Sequence, residues 1–219
     1  MVRSDRRTKL LAAGLSALAG FVDATGFIQL GGFYVAFMSG NSTRLAVGLV
    51  RNVANGVLAG ELIAGFVLGV MLATFVGHAA RKHRASYVLS LVAFLLALAA
   101  LLAQLGFVSP AIGAMVLAMG AENAVFERDG ELHIGLTYMT GALVKLGHRL
   151  AGALLGGDRM DWWPHLMLWL GLMCGALAGA LAYPLLGLSN LWLAALAAAA
   201  FALLAWRIIP ETSQAGARE

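Results

Sequence analysis

A motif that occurs twice, about a hundred residues apart, most constrains how this chain can fold. Residues 20–49 align with residues 120–150 at small, polar and charged positions. The matched pairs are Gly20 with Gly120, Asp23 with Asn123, Ala24 with Ala124, and, after one inserted residue, Met38 with Met139, Ser39 with Thr140, Gly40 with Gly141, Arg44 with Lys145 and Leu45 with Leu146. Because these polar residues lie in very apolar surroundings, the duplication is typical of a membrane transporter.

The composition indicates that the chain lies in a lipid bilayer. It is 61% hydrophobic and only 12% charged, whereas a soluble domain is about 25% charged. Each of six apolar stretches approaches the roughly 20 residues that a transmembrane helix needs, and lipid offers backbone groups no partners outside a helix or a closed barrel. The stretches are residues 10–30, 57–79, 86–107, 110–126, 163–186 and 189–209. We predict an all-α polytopic membrane protein, with residues 1–219 as a single integral-membrane domain.

The distribution of basic residues predicts the orientation of these spans. Arginine and lysine cluster before the first span, after the second, between the fourth and fifth, and after the last. Six spans with both termini in the cytoplasm would place all of these clusters on the cytoplasmic side, as the positive-inside rule requires. The net charge of +4 has the same explanation, and there is no soluble domain on which nucleic acid could bind.

Two further segments, residues 31–50 and 133–155, are predicted to be re-entrant or broken helices. Gly31 and Gly32 interrupt the first segment, and residues 39–43 follow with side chains that compete with helical hydrogen bonding. The second segment follows Asp129-Gly130 and contains Thr140-Gly141. If both segments cross the membrane instead, the chain has eight spans and residues 81–84 lie outside. We favour about six transmembrane helices plus two re-entrant or broken ones.

Three spans in each half would give the two halves inverted topology. The first repeat half is residues 10–107 and the second is residues 110–209. Gly65 and Gly69 are spaced like Gly171 and Gly175, and such spacing lets helices approach closely. Because this spacing is common in any glycine-rich apolar helix, it supports the duplication only weakly.

Five charged residues fall within or near hydrocarbon depth: Asp23, Arg44, Glu61, Glu122 and Lys145. A charge at the centre of a span costs about 2.5–3.5 kcal/mol on insertion scales, so these groups must be paired, neutral, near the interface or hydrated. We expect each irregular segment to bring its cation near an acidic residue. Asp23 is the leading candidate for proton or cation exchange, and a structural ion pair between Asp23 and Arg44 is the alternative.

The two copies of the motif supply the candidate substrate-binding or ion-binding residues. Ser39 or Asn41 could cap a half-helix whose N-terminus points into the protein and binds an anion or a carbonyl group; internal packing is the alternative. The full candidate set is Asp23, Ser39, Gly40, Asn41, Thr43, Arg44, Glu122, Asn123, Thr137, Tyr138, Thr140, Gly141 and Lys145.

The leading function is secondary transport of a small molecule, by a permease or exporter coupled to protons through Asp23 or Glu122. A passive channel of similar architecture is the alternative, and an intramembrane enzyme or a structural membrane protein is less favoured. The chain has no ATP-binding loop, and no histidine lies clearly in mid-span to activate Ser39. We expect no enzymatic activity, no cofactor and no metal. The partners would be the bilayer and an unknown substrate, with homo-oligomerisation left open.

The quoted motifs resemble the YoaK-like family of bacterial inner-membrane proteins, known as domain of unknown function 1275. The resemblance covers residues 10–209, and both motifs occur in order at the right separation. The first motif is Val22-Asp23-Ala24, Phe27, Leu30-Gly31-Gly32 and Met38-Ser39-Gly40-Asn41; the second is Glu122-Asn123-Ala124, Thr137 and Thr140-Gly141. Glu122 departs from the family, which more often has glutamine there. The resemblance implies a multi-pass protein of the bacterial inner membrane, without implying a substrate.

Overall fold

The computed structural model describes residues 6–80, 83–128, 131–132 and 139–208, and within them the chain is almost entirely helical. The α-helices, in chain order, are α1 (Arg6–Gln29), α2 (Met38–Arg51), α3 (Val53–Ala80), α4 (Arg84–Gln104), α5 (Val108–Asn123), α6 (Met139–Leu154), α7 (Trp163–Leu186) and α8 (Leu191–Ile208). A 3-10 turn, Gly187–Asn190, joins α7 to α8. A two-residue antiparallel ladder pairs Glu127–Arg128 with Glu131–Leu132.

The predicted spans agree with the observed helices to within a few residues. In the described ranges, four segments are long and apolar enough to cross a membrane: Thr8–Gln29, Val53–Ala80, Arg84–Gln104 and Trp163–Arg207. The last segment has 45 residues and contains both α7 and α8. With 16 residues, α5 is only about 24 Å long and does not reach that length. The chain is therefore a helical protein with several apolar helices of membrane-spanning length.

The core lies between α1, α4, α5 and α8, and the other helices lie around it. Leu15, Leu89, Met119 and Leu191 are fully buried there, one from each of the four helices. Large apolar side chains such as Leu181 remain exposed on the outer helices. In water, apolar faces this extensive would be unusual for a single chain, whereas in a bilayer they contact lipid.

The outer helices contact the core at glycine positions. α1 packs against α7, and α5 packs against α3. Gly175 of α7 lies against the carbonyl oxygen of Ala17, and Gly69 of α3 lies against that of Leu117. In the opposite direction, Gly20 of α1 faces the Leu172 carbonyl and Gly120 of α5 faces the Phe66 carbonyl. The predicted close approach at the glycine spacings is present, because only a residue without a β-carbon leaves room for these backbone contacts.

Candidate functional site

The chain reverses direction after α1 and runs back along the helix it has just left. Gly31 and Gly32 have φ angles of 62° and 108°, which glycine adopts without strain, so the predicted break at these residues is confirmed. Val35 then packs against Gly26 of α1, and α2 begins at Met38. We call residues 30–37 the fold-back segment.

Asp23 holds the fold-back segment against α1. Its Oδ1 atom accepts hydrogen bonds from the backbone N–H groups of Val35 and Ala36, both at 2.8 Å. Both donor residues are buried, so without Asp23 their N–H groups would lack this acceptor. Hydrogen bonds to an ionised acceptor are stronger than those between neutral groups. The carboxylate of Asp23 therefore stabilises an irregular backbone segment inside the protein.

Asn41 holds the same segment from the other side. Its side chain accepts a hydrogen bond from the Tyr34 N–H at 3.1 Å and donates one to the Tyr34 carbonyl at 2.7 Å. Asn41 is fully buried. The predicted capping role for Ser39 or Asn41 is wrong, because Phe37 is the N-cap residue of α2 and no side chain caps that helix. Asn41 instead bonds both the backbone N–H and the carbonyl of Tyr34, seven residues earlier in the chain.

Arg44 does not pair with Asp23. Its guanidinium carbon lies 4.9 Å from the centre of the Phe33 ring and 5.9 Å from that of Tyr34. In the described residues, Arg149 and Asp161 form a salt bridge, and none links Arg44 to a carboxylate. The ion pair considered between Asp23 and Arg44 is therefore absent. Arg44 contacts the fold-back segment through a cation–π interaction, which suits a cation placed over an aromatic face.

The remaining candidates in the first half lie nearer the surface. Ser39 and Thr43 are exposed, and the Thr43 hydroxyl donates to the Ser39 carbonyl one turn earlier. Gly40 is partly buried, and a β-carbon there would meet the rings of Tyr34 and Phe37. Gly40 is thus explained by packing.

In the second half, the buried candidate residues with polar side chains lie at the end of α5. Glu122 is 0% exposed, and neither of its carboxyl oxygens has a hydrogen-bond partner in the described part of the chain. Asn123 is also buried, and its side-chain amide donates to the Met119 carbonyl at 2.9 Å. Glu122 is therefore the buried carboxyl group for which the described residues supply no partner.

The candidate residues of α6 are less enclosed than those of α2. Thr140, Gly141 and Lys145 are exposed, and no salt bridge joins Lys145 to an acidic residue in the ranges the structure covers. The expected pairing of Lys145 with a buried acid is therefore not found there. Thr137 and Tyr138 lie outside the described residues.

Sequence reasoning missed a buried polar contact between α1 and the turn before α8. The Asn190 side-chain amide donates to the Thr25 hydroxyl at 2.9 Å, and that hydroxyl donates to the Phe21 carbonyl. Nearby in the chain, the Tyr183 hydroxyl bonds the Gln29 side chain at 2.6 Å. The available signal was Asn190 itself, a polar residue in the short link between two spans. In the described ranges, no three histidine, cysteine, aspartate or glutamate residues form a group that could hold a metal ion.

Replacing Asn41 with alanine is expected to lower the free energy of unfolding by about 1–3 kcal/mol, because it leaves the backbone N–H and carbonyl groups of the half-buried Tyr34 without their partner. The apparent melting temperature of the purified protein in detergent would measure the loss. Ser42→Ala is the matched control, since Ser42 is exposed and bonds only within α2, to the Met38 carbonyl. Equal melting temperatures for the two variants would contradict the role given to Asn41.

Motif residues of the first half thus hold one irregular segment in place, and the sequence around both motifs matches a known family. Residues 11–204 match a family described as "Protein of unknown function (DUF1275)". The chain belongs to this family. The match covers most of the sequence, including both copies of the repeated motif, so the expected resemblance is confirmed.

Two proteins with similar sequences carry the words "transmembrane protein" in their names. The chain is 39% identical over 206 residues to UPF0700 transmembrane protein RA0705 of Rhizobium meliloti (strain 1021), covering 90% of this chain and 86% of that protein. It is 31% identical over 162 residues to UPF0700 transmembrane protein YoaK of Bacillus subtilis (strain 168), covering 70% and 72%. No solved structure matches the chain. With the apolar helices, these relatives identify a transmembrane protein.

Proposed function

We propose that this protein is a secondary transporter of a small molecule, built from two inverted halves in a bacterial inner membrane and coupled to protons through a buried carboxyl group. The observation that carries the proposal is the combination of reciprocal packing between the halves with irregular backbone and a carboxyl group in their interior. Transporters of this class place their sites between inverted repeats, where discontinuous helices meet.

The packing of the helices supports the repeat. Exchanging α1 with α5, α2 with α6, α3 with α7 and α4 with α8 converts most of the helix contacts into another one or into itself. The contacts that match are α1 with α7 and α5 with α3, α2 with α3 and α6 with α7, α1 with α8 and α5 with α4, and α4 with α8. The contact of α3 with α4 is the exception, because α7 makes no comparable contact with α8 in the described residues. The packing therefore supports the same correspondence between the helices of the two halves as the sequence repeat.

The glycine contacts support the repeat at single-residue level. Gly175 faces Ala17, and Gly69 faces Leu117. Leu117 follows Ala17 by 100 residues, and Gly175 follows Gly69 by 106 residues, which are the spacings that the two copies already have in the sequence. A shared backbone contact at matched positions is expected of duplicated halves.

The place where α2 begins supports re-entry in place of crossing. α2 has 14 residues, so it measures about 21 Å, less than the roughly 30 Å of hydrocarbon. α6 has 16 residues, the same number as α5, which we count as a crossing, so re-entry of α6 is proposed from its match to α2 in the repeat and not from its length. The fold-back segment starts α2 beside Asp23, well before the end of α1. Six crossings then leave both termini in the cytoplasm, in agreement with the basic loops.

Reconstituted vesicles test the proposal. Purified protein would be placed in proteoliposomes with the pH indicator pyranine inside and an imposed pH gradient, and a panel of small organic anions, cations and neutral metabolites would be added one at a time. We expect at least one compound to accelerate the collapse of the gradient, with no effect in protein-free vesicles. Solute equilibration without proton movement would indicate the passive channel instead, and no flux of any compound would contradict both.

A further inference from the structure

The two intramembrane acids differ in their hydrogen bonds. Asp23 bonds the backbone, whereas Glu122 has no hydrogen-bond partner in the described residues. Asp23 uses its Oδ1 atom to bind two N–H groups of the fold-back segment. Protonating Asp23 would weaken both bonds, because hydrogen bonds to a charged acceptor are the stronger ones. Asp23, the leading candidate from sequence, therefore suits a positioning role.

Glu122 has the opposite environment. It is completely buried on α5, and both of its carboxyl oxygens lack hydrogen-bond partners in the described residues. The amide beside it, on Asn123, is directed to a carbonyl of its own helix. An ionised carboxylate without hydrogen bonds or a counter-ion is very costly in an apolar interior, whereas the neutral acid costs much less.

In the described residues, the helices packed against α5 supply no counter-ion to Glu122. These helices are α1, α3 and α4, and none of their described charged or titratable side chains forms a salt bridge or a hydrogen bond with Glu122. Asp23 is bound to the fold-back segment, and Arg84 lies along Gly77. The other four charged or titratable side chains are exposed: Lys9, Glu61, His78 and Tyr87.

We propose that Glu122 is the proton-carrying group of this transporter, neutral while it is enclosed without a solute and ionised when water reaches it. This proposal deepens the proposed function and rests on it for the coupling step. When one face opens, the Glu122 carboxylic acid gives its proton to water and becomes a carboxylate, which a positively charged solute then neutralises so that the protein can close around the pair. At the other face a proton taken from water replaces the solute and restores the neutral acid, and the protein can close again because neither enclosed state buries an unpaired charge.

Infrared spectroscopy of the protein in lipid vesicles tests Glu122 without any substrate. Exposed carboxyl groups are ionised at neutral pH, so a carboxylic-acid carbonyl band that remains at pH 7 and shifts in D₂O reports an enclosed, protonated group. We expect this band in the unaltered protein and its loss in Glu122→Gln, which changes one side-chain atom and restores the residue that the resemblance gives as more common. The band should persist in Asp23→Asn and in Glu61→Gln, whose carboxyl group is exposed.

The results separate this inference from the transport proposal. Absence of the band from the unaltered protein, or its persistence in a folded Glu122→Gln variant, would overturn the role of Glu122. In the pyranine assay, we expect Glu122→Gln to lose substrate-driven proton movement while Glu61→Gln retains it. If a solute moves protons equally well in Glu122→Gln, transport stands and the inference is wrong. If the band behaves as expected but no solute produces flux, Glu122 holds a proton and the transport proposal fails.

Discussion

Replacing Gly175 with leucine is expected to destabilise the protein by about 3 kcal/mol or more, because overpacking a tight contact forces backbone shifts. A β-carbon at Gly175 would overlap the carbonyl oxygen of Ala17 in α1. That atom belongs to a helix backbone and cannot move aside as a side chain can. Since transmembrane helices associate through close packing of small residues, α1 and α7 would have to separate. Size-exclusion chromatography and the apparent melting temperature in detergent would measure the effect.

Two further leucine variants make this experiment specific. Gly69→Leu is expected to do comparable damage, because Gly69 meets the Leu117 carbonyl in the same way between α3 and α5. Gly113→Leu is the control: it lies on a helix, is exposed, and a β-carbon there would meet nothing within 4 Å. If Gly175→Leu were as stable as Gly113→Leu, the helix contact described for α1 and α7 would be incorrect.

Removing the carboxyl group of Asp23 is the second large expected effect. Asp23→Ala leaves the buried N–H groups of Val35 and Ala36 without their acceptor, and each unsatisfied group costs about 1–3 kcal/mol. Because both groups belong to the fold-back segment, we expect this segment to lose its position against α1. Limited proteolysis between Leu30 and Phe37, together with the apparent melting temperature, would detect the change.

Asp23→Asn distinguishes a positioning role from proton exchange. The asparagine side chain retains an oxygen that can accept both backbone hydrogen bonds, so this variant should keep most of the stability that Asp23→Ala loses. It should also keep the flux in the pyranine assay if Asp23 only positions the segment. An Asp23→Asn variant that is stable yet fails to couple protons would return the coupling role to Asp23.

The helices were predictable because each one follows from local composition. Apolar stretches of about 20 residues form helices in lipid whatever their neighbours are, so residues 163–186 were identified to the residue. The glycine break at Gly31 and Gly32 was also predictable, since few other residues tolerate those φ angles. By contrast, the ladder of Glu127–Arg128 with Glu131–Leu132 depends on pairing between backbone groups, which composition does not indicate.

The chemical roles of the motif residues required the tertiary structure. The sequence marked Asp23, Asn41, Arg44 and Glu122 as polar groups in apolar surroundings, and charge alone suggested pairing Asp23 with Arg44. In the structure, the fold-back segment places backbone N–H groups beside Asp23 and an aromatic ring beside Arg44. No pattern of residues in the sequence reveals these contacts.

The sequence by itself determined that this chain is a helical membrane protein with a duplicated motif, because hydrophobic length, glycine positions and the repeat are properties of the chain alone. Only the tertiary structure decided which intramembrane acid has hydrogen-bond partners among the described residues and which has none there. That distinction depends on which backbone groups and side chains from distant parts of the chain meet in space, and two acids in similarly apolar sequence can meet entirely different neighbours.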